Sequence, residues 1–193
     1  MYTERSYTTP GTYSFTVPAG ITRIRVAVCG GGGGASYYRG WAGGGDSGIY
    51  CYNGKDGEAS SFGNLITATG GTATYFELDH SSANIKIPGK GGSPNGYDGT
   101  VKLDKIRYGK GFALSFVKTD GEYGRCINIY NDSPYHNDYG AISGSGGYNV
   151  DTLKVTPGST YTITVGNGGI SGIKTQSERS AGGFVLIAYG EGI

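Results

Sequence analysis

Aromatic residues set among glycines are the residues of this chain best suited to chemistry at a surface. They fall in three places: Tyr37-Tyr38-Arg39-Gly40-Trp41, Tyr50-Cys51-Tyr52 and Tyr135-His136-Asn137-Asp138-Tyr139. Sugars bind by laying a C–H face on an aromatic ring while neighbouring polar groups exchange hydrogen bonds with their hydroxyls. Recognition surfaces in general favour Tyr, Trp and Arg as rigid anchors among small, adaptable neighbours. Trp41, the single tryptophan, sits in a loop-like setting. Candidate binding residues are therefore Tyr37, Tyr38, Trp41, Tyr135, His136 and Tyr139. The competing reading is that such rings pack over glycine backbone and fill gaps left by missing side chains. Tyr50 and Tyr52 are read in that second way.

Other reactive side chains give no catalytic or metal-binding pattern. Asp79-His80-Ser81 places a histidine beside a serine, but nothing resembling a nucleophile elbow surrounds any serine, and adjacency in sequence is not triad geometry. His136 with Asp132 and Asp138 offers nitrogen and oxygen ligands at a spacing that matches no zinc or calcium motif, so the segment reads as a polar loop. The carboxylates Asp46, Asp56, Glu58, Asp98, Asp104, Asp120 and Glu122 stand mostly beside glycine or asparagine, the setting of ordinary turns. No apolar setting marks a glycosidase pair among them. Gly30–Gly34 lacks the Gly-Lys-Ser/Thr of a phosphate loop, and no helix follows it. The chain is thus expected to be no enzyme and to use no cofactor or metal.

The elements that must carry these residues read as strands. Tyr13-Ser14-Phe15-Thr16-Val17 alternates apolar and polar, Pro18-Ala19-Gly20 makes a turn, and Ile24, Val26 and Val28 alternate on the next strand. That strand runs straight into Gly30–Gly34. The same grammar returns near the C-terminus: Leu153-Lys154-Val155, a turn at Thr156-Pro157-Gly158, then Tyr161–Val165, which again runs into glycines. A last run, Phe184–Tyr189, is apolar on both faces, as a central buried strand would be. No segment has a helical period. The chain therefore reads as all-β, a sandwich or jelly-roll-like framework built from both chain ends (roughly 10–29 and 150–190) with glycine-rich loops. Strand-like runs at 72–78, 85–87, 112–117 and 126–130 fill the middle. Residues 72–140 form either an inserted β-subdomain or a set of elaborate loops within one domain of 193 residues.

Composition narrows the class. Glycine supplies 39 of 193 residues; the hydrophobic fraction is 36% and the charged fraction 16%, both below ordinary globular values. Seventeen tyrosines and many β-branched residues argue against a disordered chain, and only six prolines without a Gly-X-Y period argue against collagen. A net charge of +1 gives no reason to expect nucleic acid as a partner. Three cysteines, Cys29, Cys51 and Cys126, without CxxC spacing, read as free thiols of a protein made in a reducing cytoplasm. The first residues lack the basic and apolar runs of a signal peptide, and no apolar stretch is long enough for a membrane helix. Work outside a cell would then follow lysis or assembly into a particle.

Three features in order carry a resemblance. They are the opening strand–Pro-Ala-Gly–strand–poly-Gly unit, the central Ala59-Ser60-Ser61-Phe62-Gly63-Asn64-Leu65-Ile66-Thr67-Ala68-Thr69-Gly70-Gly71, and the closing Val155–Gly166 followed by Gly182–Gly190. Together they resemble the glycine-rich domain of phage tail-fibre and tail-tip proteins and of some bacterial surface proteins. The resemblance covers both ends and, of the middle, residues 59–71. It implies a β-framework carrying glycine-rich segments near the host-facing end of a fibre, with room for short polyglycine II helices around residues 30–45. It also implies a receptor-binding (adhesin-like) role toward a host-surface glycan or outer-surface protein, with other tail-fibre proteins as partners and a homotrimer as one arrangement. The implied location is the virion tail, or alternatively the bacterial surface. A structural spacer without receptor binding and, further off, a polysaccharide depolymerase are the competing functions.

Overall fold

The computed structural model describes residues 2–34, 36–41, 50–79, 82–99, 112–116, 125–129, 136–140, 143–170, 172 and 179–193. In chain order the described strands are β1 (Tyr2–Tyr7), β2 (Gly11–Thr16), β3 (Arg23–Cys29), β4 (Tyr37–Trp41), β5 (Tyr50–Tyr52), β6 (Ser60–Phe62) and β7 (Ile66–Ala68). They continue with β8 (Tyr75–Asp79), β9 (Ser82–Ile87), β10 (Phe112–Phe116), β11 (Arg125–Ile129), β12 (His136–Gly140), β13 (Tyr148–Lys154), β14 (Thr160–Val165) and β15 (Phe184–Gly190). Every pairing between these strands is antiparallel, and the described residues contain no α-, 3₁₀- or π-helix.

Two four-stranded sheets, ordered β1-β15-β3-β13 and β2-β14-β6-β7, form a sandwich. Alternation decides which residues enter it. Ile24, Val26 and Val28 of β3 are fully buried, while Arg23 and Arg25, which alternate with them, are exposed. From the second sheet Phe15, Phe62, Ile66, Ile163 and Val165 face them across the core, with Val185 and Ile187 of β15. Tyr161 stacks on Phe62 at 4.9 Å between ring centroids, closing one edge. Burying such side chains stabilises by about 1.5–3 kcal/mol each.

The chain ends meet as the sequence predicts: β15 lies between β1 and β3, a central position consistent with its apolar character. The two Pro-Gly turns also form where expected. Ile21 N–H donates to Pro18 C=O with Gly20 at φ +77°, and Ser159 N–H donates to Thr156 C=O with Gly158 at φ +81°. Both are the positive-φ third position of a type II turn, which glycine occupies without steric cost. The sequence 59–71 forms the short β6–β7 hairpin that completes the second sheet.

Beyond the sandwich the strands continue into glycine. β3 passes into 30–34, β7 into 69–74 and β14 into 166–170, while 54–58, 143–147 and 180–183 return toward β6, β13 and β15. Successive N–H groups of the central segment 30–34 point at different neighbours. Gly30 and Gly33 donate to the carbonyls of Gly147 and Gly144, both at 3.0 Å. Gly31 and Gly34 donate to Glu58 and Lys55, both at 2.9 Å, and Gly32 donates to Ala181 at 3.1 Å. The 144–147 and 55–58 segments thus each recur as partner every third residue, as in a three-residue-per-turn extended helix without internal hydrogen bonds.

Neighbouring segments keep the same period. Gly147 and Gly144 donate to Thr69 and Thr72, and Glu58 and Lys55 donate to Asn167 and Ile170. This is a bundle of polyglycine II-type helices, with 30–34 running parallel to 69–72 and 167–170 and antiparallel to 55–58 and 144–147. The bundle reaches well beyond the 30–45 stretch in which the sequence suggests such helices. It recruits residues 72–74 and 89–92 from the middle of the chain as well.

Side chains are almost absent from the interior of the bundle because there is no space for them. A Cβ on Gly33 would lie 2.2 Å from the Thr72 carbonyl oxygen, and one on Gly31 would lie 2.1 Å from that of Asn167. The buried polar side chains are small hydroxyls that complete backbone bonding. Ser143 Oγ donates to Gly33 C=O at 2.6 Å, Ser180 Oγ donates to Gly32 C=O, and Ser60 Oγ accepts from Gly166 N–H at 2.9 Å. Buried polar groups are thereby satisfied, as close packing without water requires.

Candidate functional site

The far end of the bundle is where the aromatic candidates lie. From Gly34 the chain enters β4, and it returns through β5 to 54–58. Ser36 ties this exit to its neighbours: its hydroxyl donates to Thr74 C=O and accepts from Gly54 N–H at 2.9 Å. Asn53 then grips Phe76 at both backbone groups, accepting from its N–H at 2.8 Å and donating to its C=O at 2.9 Å. The side chain of Asn53 here does what a neighbouring strand's backbone would do. Phe76 itself is buried.

Three small sheets stand side by side at this end. β4 is the central strand of β12-β4-β5; β12 lies beside β11 of the β10–β11 pair, and β5 lies beside β8 of the β8–β9 pair. Register places the candidates with precision that their sequence separation hides. His136 is paired with Trp41, Asp138 with Arg39, Tyr139 with Tyr38 and Gly140 with Tyr37. On the other side of β4, Tyr37 is paired with Tyr52, Tyr38 with Cys51 and Arg39 with Tyr50. Two segments almost one hundred residues apart are therefore brought into one sheet.

Strand alternation divides the candidates between two faces. Positions 37, 39 and 41 share a face with 136 and 138 and with 50 and 52. Positions 38, 51 and 139 share the other face. Of the six expected binding residues, Tyr37, Trp41 and His136 fall together, Tyr38 and Tyr139 fall together opposite them, and Tyr135 lies outside the described residues. Two readings of local structure are corrected. Trp41 ends a strand where its glycine-flanked sequence reads as a loop, and His136–Gly140 is a strand where it reads as a polar loop. Pairing across the sheet supplies the order that neither segment signals alone.

Arg39, Asp138, Tyr50 and Tyr52 join the first face although sequence reasoning did not place them in a site. Arg39 adjoins the candidates in sequence, but Asp138 and Tyr50 become its neighbours only through register. Among the described residues no group of three or more His, Cys, Asp or Glu side chains converges as a metal site would. No helix among them is long and apolar enough to cross a membrane. Of the other sequence candidates, His80 lies outside the described residues.

Charged groups nearer the sandwich serve the scaffold. Glu58 Oε2 accepts from Asn167 N–H at 3.0 Å and from its Nδ2 at 2.9 Å, and these bonds hold its carboxyl below the ordinary glutamate range. Asp98 accepts from Lys90 Nζ at 2.8 Å and from Gly91 N–H at 2.9 Å, which lowers its carboxyl as well. Cys29 is fully buried, and burial pushes its thiol up to about 12, so it is a core residue and no nucleophile. A shallow depression on the outer face of the first sheet is lined by Tyr2, Glu4, Arg25, Ala27, Tyr148 and Leu186, among others. It holds no convergent set of reactive groups.

No family model matches the chain, and neither the curated proteins nor the solved structures yielded a match.

Proposed function

We propose that this chain is a receptor-binding component of a phage tail fibre or tail tip, located in the virion and acting without catalysis on a host-surface glycan. The observation that carries the reading is the β12-β4-β5 sheet. It gathers tyrosines, the single tryptophan, an arginine and a histidine at the end of the glycine bundle remote from the sandwich. Rigid aromatic anchors with few rotatable bonds lose little entropy on binding, and such residues dominate recognition surfaces. The bundle supports the reading by its form. It is a stiff stem of main chain that holds this sheet away from the sandwich, which is left to contact other tail-fibre proteins, as a trimer or as a cap on one. The resemblance of both chain ends to glycine-rich tail domains points the same way.

Trp41→Ala tests the proposal. Cell adsorption and binding to immobilised host glycan should be lost, while the melting temperature of the purified chain changes by no more than about 2 °C. A steep fall in melting temperature with binding retained would make Trp41 a packing residue and the sheet a structural element. A wild type without saturable binding would leave the spacer reading in its place.

A further inference from the structure

We infer that β2 is a self-pairing edge: two copies of this chain join their second sheets through antiparallel β2 strands, related by a two-fold axis at Ser14. This edge lies on the sandwich, so the pairing stands apart from the receptor-binding reading. β2 is an outermost strand of its sheet, bonded to β14 on one side only. Val17 N–H donates to Ser159 C=O at 2.9 Å, so the main chain at 17 faces the β14 side. Alternation then turns Gly11, Tyr13 and Phe15 toward β14, and Thr12, Ser14 and Thr16 away from it. The bond from Gly63 N–H to Thr162 C=O agrees, since Thr162, paired with Ser14, turns the other way, toward the β6–β7 hairpin. The main-chain groups of Thr12, Ser14 and Thr16 have no hydrogen-bond partner among the described residues, and all three residues are exposed.

An open edge is ordinarily guarded by charge, by brevity or by proline. β1 carries Glu4 and Arg5, β13 carries Asp151 and Lys154, and β7 is three residues long. β2 has six residues and no charge, and the chain is uncharged from Ser6 to Thr22. Proline is present only as a frame: Pro10 and Pro18 each stand four residues from Ser14. Both share the parity of the outward-facing residues, and neither has an N–H to give. Shifting the pairing by one or two steps either way sets Thr12, Ser14 or Thr16 against one of these prolines. Centred on Ser14, Thr12 meets the partner's Thr16 and Ser14 meets the partner's Ser14, so every outward N–H and C=O of β2 is bonded. The prolines then meet each other at the margins. On the core side Tyr13 lies opposite the partner's Phe15, an aromatic cross-strand pair repeated on both sides of the axis. Two four-stranded sheets become one of eight.

Sedimentation velocity of the full chain over a concentration series measures the association, with amide hydrogen exchange beside it. Wild type should pass from monomer to dimer, and exchange at Thr12, Ser14 and Thr16 should slow as the dimer fills. Ser14→Pro removes an N–H that bonds nothing within one chain, so it should fold and remain monomeric. A second arm does not depend on that variant. Ser14→Lys and Ser14→Glu each set like charges opposite one another across the axis; mixed, they set opposite charges there. The two should bind each other at least about tenfold more tightly than either binds itself. Thr67→Lys, exposed on the opposite edge of the same sheet, should dimerise within about twofold of wild type. A wild type that stays monomeric, or that forms a trimer, overturns the self-pairing edge. So does a dimer in which the amides of residues 12, 14 and 16 exchange as they do in the monomer. Ser14→Lys and Ser14→Glu that show no preference for each other overturn the Ser14-centred register. Receptor binding, present or lost, moves none of these readouts.

Discussion

In the sandwich, Phe62, Ile163 and Val165 fill the space between two sheets with side chains; in the glycine bundle, Gly30 to Gly34 fill it with main chain. Both interiors are closed to water, but their energetics differ. Sandwich residues bury apolar surface, worth about 1.5–3 kcal/mol for each large side chain. Bundle residues gain hydrogen bonds worth about 0.5–1.5 kcal/mol each. They also lose backbone freedom at a cost of about 1–2 kcal/mol each, and glycine loses the most. Such a bundle is marginal by itself. It forms here because β3, β7 and β14 enter it from the sandwich, while β6, β13 and β15 receive its returning segments, so six points are already fixed in register.

The comparison breaks most visibly at Gly33. An alanine there would put Cβ 2.2 Å from the carbonyl oxygen and 2.4 Å from the carbonyl carbon of Thr72. Both are backbone atoms held by Gly144 N–H on the other side, so neither can move alone. Gly33→Ala should cost more than about 4 kcal/mol or prevent folding, as measured by urea unfolding. Gly158→Ala is the matched control. Nothing lies within 4 Å of its added Cβ, and only the positive φ of +81° opposes it, at about 1–2 kcal/mol. Equal losses at the two positions would mean that the bundle is not close-packed.

Removing a side chain tests the other interior. Phe62→Ala takes away a ring that is fully buried against Phe15 and Tyr161, and should cost about 3–5 kcal/mol. Because β6 feeds directly from the 54–58 segment of the bundle, the loss should also raise hydrogen exchange at Glu58 and Gly57. If exchange in the bundle stays at the wild-type rate while the sandwich weakens, the bundle is stable independently of the sandwich.

The same contrast explains what could be read from the sequence. Side-chain packing leaves a local trace: alternation at Tyr13–Val17, Ile24–Val28 and Tyr161–Val165 identifies the sandwich strands, and Pro-Gly pairs mark their turns. Main-chain packing leaves only glycine runs such as Gly30–Gly34, which mark a packed segment but not its partners. Gly31, Glu58, Gly71 and Asn167 join in one hydrogen-bonded neighbourhood although 136 residues separate the first from the last. A three-residue period among donors that reach different segments does not appear in any one of them. Tyr2–Tyr7 escaped notice for a related reason, since Thr3, Glu4, Arg5 and Ser6 make it a polar edge strand held by pairing with β15. At the candidate site the aromatic residues were legible by type. Their division between two faces was not, because it depends on the pairing of His136 with Trp41 across the fold.

The smallest expected effect lies where the two regions join. Glu58 is exposed, yet its carboxylate accepts both the backbone and the side-chain N–H of Asn167, the residue at which β14 passes into the bundle. Those bonds favour the charged form and lower its pKa in the fold, with Arg179 adding a lesser attraction. A carboxylate whose folded pKa is depressed contributes stability above its unfolded pKa, and that contribution disappears as pH falls through the folded value. Glu58→Gln should therefore lower stability slightly at pH 7, by no more than about 1 kcal/mol for so exposed a group. The deficit relative to wild type should shrink as pH is lowered below about 4.3, the ordinary glutamate value. Thermal melts of both proteins from pH 7 to pH 3 measure it. A deficit that stays constant across that range would show that the amide loses shape complementarity and not charge. The joint would then be held by packing alone, as in the bundle it leads into.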